Sequence, residues 1–141
     1  MASPSPPGRD DLPARLRASV EPFPAIGLAL LFGSGARGEL RADSDVDVAV
    51  AGREAMDGPT RVAVTEAIAE ATGRPVDLVD LRTAGPVVRR QALERGLVLI
   101  DREPGLRGEL HARLLADEAD YLPHVRRIQR AQIARLARFT R

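Results

Sequence analysis

The segment from Asp45 to Ala51 reads Asp-Val-Asp-Val-Ala-Val-Ala. Side chains of an extended chain point alternately to opposite faces, so this spacing puts both carboxylates on one side and the valines on the other. Such a stretch folds as a half-buried strand with a polar end, and a sheet with at least one covered face must be built around it. The compact apolar run Ala25 to Phe32, held between Pro24 and Gly33, supplies a second strand buried on both faces; its length favours a strand, although periodicity alone leaves a buried helix open. Pro75 to Leu81 and the short Leu97 to Ile100 read as two further strands.

Helical spacing fills the intervals. Leu12, Leu16 and Val20 recur between Asp11 and Val20, with Pro22 and Pro24 to end the helix. A second helix opens at Pro59, carries Val62, Ile68 and Ala69, and closes at Gly73 and Pro75, while a third runs from Pro86 to Arg95 and stops at Gly96. From Pro104 the chain is Arg-rich and helical in pattern, with Leu106, Leu110, Leu114, Ile128, Ile133 and Leu136, and Pro123 is expected to break or kink it. The fold class is therefore α/β in the broad sense (α+β), a mixed sheet flanked by helices with a C-terminal helical tail. The expected division is a leader over 1–9, a domain over 10–103 and a helical extension over 104–141. The leader has prolines and serines but no hydrophobic pattern.

At 141 residues and 44% hydrophobic content the chain suffices for one packed core. Twenty-one basic against 20 acidic side chains leave a net charge of +1, which argues against direct nucleic-acid binding by a one-sided basic surface. With no cysteine there is neither a disulfide framework nor a thiolate chemistry, and with no lysine there is no Schiff base and no Walker-type phosphate loop. No apolar run is long enough to cross a bilayer and the N-terminus lacks a signal-peptide core, so a cytoplasmic location without membrane association is expected.

Chemistry concentrates between residues 33 and 80. Gly33-Ser34 directly follows a strand, where a glycine lets backbone approach a ligand and the amides and hydroxyl that follow face phosphate oxygens. After ten intervening residues, Asp45 and Asp47 offer oxygen ligands at i and i+2 to a hard cation, for which magnesium is the natural candidate. Asp77, set among apolar neighbours, is the candidate third carboxylate of a two-metal site, with Asp80 in reserve. In a regular strand these two face opposite sides, so at most one joins the cluster. Arg37 and Arg41 lie between the Gly-Ser and the carboxylates; each is either a phosphate-pairing guanidinium or an ordinary surface arginine. His111, His124 and Tyr121 lie in the tail with no ligand-spaced partner and read as structural or surface residues.

Taken together, GSGARGELRADSDVDVAV and PVDLVDL resemble the minimal nucleotidyltransferases of the DNA polymerase β superfamily, in particular the MntA-type antitoxins encoded beside HEPN-domain toxins. The resemblance covers residues 26–100 and implies active carboxylates on adjacent strands. It also implies phosphate binding at Gly33 and Ser34 and magnesium on Asp45, Asp47 and Asp77, two ions in the two-metal reading; Arg37, by its position alone, is a candidate phosphate contact. The implied activity is transfer of AMP from ATP to a HEPN-type ribonuclease toxin. The tail lies outside the resemblance, and its apolar residues read either as core or as an interface for homo- or hetero-oligomerisation through the C-terminal helices. Two other readings remain open on the residues alone. One is a non-catalytic antitoxin that occludes its partner; the other is a small-molecule nucleotidyltransferase of the aminoglycoside-modifying kind, which the short stretch after Ile100 disfavours.

Overall fold

The computed structural model of the chain describes residues 12–39 and 44–139, and the side chains of 120–126 and 136–139 lie outside that description. The leader, Arg41, and the side chains of Tyr121 and His124 are therefore outside the described residues. The elements in order are α1 (Leu12–Val20), β1 (Leu28–Phe32), β2 (Val46–Ala51), α2 (Gly58–Thr72), β3 (Val76–Asp80), α3 (Pro86–Arg95), β4 (Leu97–Asp101) and α4 (Leu106–Phe139).

The four strands form one sheet in the order β3-β2-β1-β4. The chain turns back between β1 and β2, which pair antiparallel, and β4 joins the other side of β1 antiparallel with a register irregularity at Ala29/Leu30. β2 and β3 are parallel, so their connection must cross over, and α2 is that crossover. Both its ends carry recognisable stops. The Asp57 side chain accepts a hydrogen bond from the Thr60 amide, Pro59 occupies the first turn, and Gly73 closes the helix at φ 66.

Alternation along the central strands feeds two apolar layers. Ala29 and Leu31 of β1, with Val46, Val48 and Val50 of β2, pack against Leu12, Leu16 and Val20 of α1 and Val64 and Ile68 of α2. Leu28, Leu30 and Phe32, with Ala49 and Ala51, face Ala92 and Leu93 of α3 and Leu106, Leu110 and Leu114 of α4. Full burial of such a leucine stabilises the fold by about 1.5–3 kcal/mol, so the first turns of α4 complete the core. Within α2 the sequence pattern is off by one face at one position: Val64 and Ile68 are buried, whereas Val62 is exposed.

One buried cation stitches the second layer. Arg89 of α3 donates from Nε to the Leu81 carbonyl at 3.1 Å and from Nη2 to the Ala84 carbonyl at 3.1 Å, while Nη1 meets the Asp117 carboxylate of α4 at 2.9 Å. The expected break at Pro123 does not occur, for α4 is helical on both sides of it. A proline costs a helix one hydrogen bond and a steric contact with the preceding turn, and α4 runs on as one helix from Leu106 to Phe139.

Candidate active site

Strand register decides which carboxylates meet. Asp47 of β2 stands opposite Phe32 of β1 and opposite Asp77 of β3. The alternation that points Ala49 and Ala51 toward α3 and α4 points Asp47 and Asp45 to the same face, just beyond the apolar layer. Asp77 precedes Val79, which packs against that same layer, so three carboxylates share one face at one end of the sheet. Asp45 and Asp77 are exposed and Asp47 is half-buried.

Crowding shows in the titration of the central member. Burial pushes the Asp47 carboxyl above its ordinary value, and the nearby charges of Asp77 and Asp45 and side-chain hydrogen bonding with Asp77 push it the same way. Like charges held this close favour a proton or a cation between them. The donor set is all oxygen and anionic, which fits a hard divalent ion such as magnesium. Among the described residues, however, no three carboxylate or imidazole groups already stand in closed ligand geometry.

Gly33 abuts the cluster. It ends β1 at φ 67, and a Cβ at this position would sit 2.4 Å from Oδ2 of Asp47. Only glycine both adopts that backbone and leaves room for the carboxylate. The loop then folds on itself, the Glu39 amide donating to the Ser34 carbonyl at 2.9 Å and the Gly38 amide to the Gly35 carbonyl at 3.3 Å. Ser34 follows Gly33 next to the carboxylates. Arg37 is exposed and its Nε bonds Glu39 at 3.1 Å.

Asp80 lies on the opposite face and is buried. Its Oδ2 accepts from the Met56 amide at 2.7 Å and its Oδ1 from the Arg82 amide at 2.9 Å, so it fastens the turns around β3 and stands apart from the cluster. A cavity of 540 Å³ opens near it, lined by Gly27, Gly52, Arg53, Met56, Asp80 and Glu103 among others. It lies at the far end of the strands from Asp47. An Arg53–Glu103 pair at 2.7 Å borders it, and none of Asp45, Asp47 and Asp77 lines it. Arg74, which belongs to no sequence motif, donates from Nη1 to the Ser44 carbonyl at 3.3 Å and so ties the α2–β3 corner to the residue before Asp45. Its place between Gly73 and Pro75, at a forced corner, was the available signal.

An antiparallel-and-parallel sheet that presents Gly-Ser beside an Asp-x-Asp strand and a third aspartate on the next strand defines a nucleotidyltransferase. The chain belongs to the Polymerase beta nucleotidyltransferase family, which it matches over residues 15–105. It is 37% identical over 74 residues to the protein adenylyltransferase MntA of Shewanella oneidensis, an alignment covering 52% of this chain and 53% of that protein. The chain thus aligns with about half the length of that relative. Among solved structures it is similar to a chain of a toxin–antitoxin crystal structure with AMP-PNP, at TM-score 0.68 and 25% identity, covering 89% of this chain and 98% of the other. It also shares the fold of a chain from the tri-AMPylated Shewanella oneidensis HEPN toxin in complex with its MNT antitoxin. The TM-score there is 0.61 at 22% identity, over 92% and 99% of the two chains. Among the described residues no helix is long and apolar enough to cross a membrane.

Proposed function

We propose that this chain is a protein adenylyltransferase that moves AMP from ATP to a hydroxyl of a HEPN-type ribonuclease toxin and so acts as its antitoxin in the cytoplasm. The observation that carries the reading is the row across the sheet in which Asp47 stands between Phe32 and Asp77, with Gly33 against its carboxylate and Asp45 on the same face. The identity to MntA and the likeness to a toxin–antitoxin chain crystallised with an ATP analogue support the substrate and the kind of partner.

In this reading Gly33 and the Ser34 amide and hydroxyl hold the triphosphate, and Arg37 exchanges Glu39 for a phosphate oxygen. Asp45, Asp47 and Asp77 would hold two magnesium ions, which when bound neutralise the charge on the transferring phosphoryl group and the leaving pyrophosphate. The acceptor oxygen attacks the α-phosphorus, the bond from that phosphorus to the bridging oxygen breaks, and pyrophosphate departs. Asp77, exposed at the rim, takes the acceptor's proton. Residues 10–103, with their core completed by the first turns of α4, form the catalytic unit, and the rest of 104–141 is the extension beyond it.

The test is transfer of label from α-labelled ATP with magnesium supplied or chelated. Transfer that needs the metal and disappears in Asp45→Asn/Asp47→Asn supports the reading. Full transfer by the double variant sinks it.

A further inference from the structure

Charge is distributed unevenly along the chain. Six of its 21 arginines and none of its 20 acidic residues fall after position 120, so the last stretch carries +6 while the remainder carries −5. Residues 121–139 of that stretch belong to α4, and residues 127–135 are exposed throughout. Among the described residues, the ion pairs that fasten α4 to α3 end at Glu118, with Arg90.

The exposed turns are ordered by chemistry. At about 100° per residue, Arg127, Arg130 and Arg135 fall within an arc of roughly 140°, with Ala131 and Ala134 between them. Ile133 borders one margin of this stripe and Ile128 the other, and they are 65% and 46% exposed. Gln129 and Gln132 occupy the opposite side. Small residues along the stripe allow close backbone approach, and the two bare isoleucines at its margins offer apolar contacts to whatever seats there.

We infer that residues 127–135 are a docking helix that seats its arginine stripe in an acidic groove of the partner protein, with Ile128 and Ile133 against apolar walls of that groove. The inference rests on the proposed function for the identity of the partner. A protein groove fits better than RNA because Phe, Tyr and Trp are absent from 122–138, where stacking on bases would need them, while aliphatic side chains are exposed. The docking helix lies in the part of the chain beyond the family match, so it gives the catalytic face a separate grip on its acceptor.

The experiment compares the full chain with Arg127→Glu/Arg130→Glu/Arg135→Glu and with Gln129→Glu/Gln132→Glu on the opposite side. Affinity for a HEPN-type toxin, the partner of the proposed function, is measured at low and high salt, with circular dichroism to confirm that each variant folds. The expected result is salt-weakened binding by the wild type, at least a tenfold loss in the arginine variant, and little change in the glutamine variant. Equal affinity of wild type and arginine variant overturns the inference. So does an arginine-dependent capture of an RNA oligonucleotide, or an arginine-dependent dimer of this chain, with partner affinity unchanged. If the wild type binds but transfers no AMP, the catalytic reading fails while the docking helix stands.

Discussion

Replacing Gly33 by alanine isolates the contact on which the site's geometry depends. The added Cβ would lie 2.4 Å from Oδ2 of Asp47, and an ordinary contact needs about 1 Å more, so the carboxylate or the turn must move by roughly that distance. The backbone at φ 67 adds a strain of about 1–2 kcal/mol for any residue with a Cβ. A misplacement of that size at a reacting centre costs about a hundredfold in rate, whereas the strain alone leaves the protein folded. Gly73 provides the matched control, since it has φ 66 and open space where its Cβ would go. Urea denaturation is expected to show both variants destabilised by a similar 1–2 kcal/mol, while AMP transfer falls about a hundredfold in Gly33→Ala and stays near wild type in Gly73→Ala. Unimpaired transfer by Gly33→Ala would refute the reasoning, and so would an equal loss in both variants.

Other expectations follow from single contacts. Asp80→Ala strands the Met56 and Arg82 amides and should cost about 1–3 kcal/mol in denaturant titration, with transfer by the folded fraction retained. Asp77→Asn should behave oppositely, abolishing transfer while leaving the metal-free protein as stable as before or more so, because it removes one of three crowded charges. Arg89→Ala leaves the Leu81 and Ala84 carbonyls and Asp117 without their donor and should cost about 2–4 kcal/mol, read as a lower Tm. Hydrogen bonding from Thr60 lowers the Asp57 carboxyl below its ordinary value. A depressed folded value means stability that is present above the unfolded value and lost as pH falls through the folded one, so the Tm gap between wild type and Asp57→Ala should close in acid.

Much of the fold was legible because strands announce themselves twice, by alternation and by the glycines and prolines that bound them. Asp45 to Ala51 places its own carboxylates, and the opposed faces of Asp77 and Asp80 follow from counting residues along β3. What the sequence withholds is register. That Asp77 lies beside Asp47 depends on how β2 and β3 pair, and the clearance demanded at Gly33 depends on how β1 ends against β2. Arg37 shows the same limit at the surface, since its pairing with Glu39 is set by a loop whose turn no periodicity describes. Pro123 misleads in the other direction, as local propensity argues for an interruption where a long helix accommodates the residue.

Intact-mass measurement of the proposed partner, a HEPN-type toxin, after incubation with this chain, ATP and magnesium, tests the central claim most directly. The expected result is a partner heavier by one or more AMP units with the wild-type chain and unmodified with Asp45→Asn/Asp47→Asn. A partner that gains no mass with the wild type, or gains it equally with the double variant, would contradict the assignment of the aspartate row as the centre of AMP transfer.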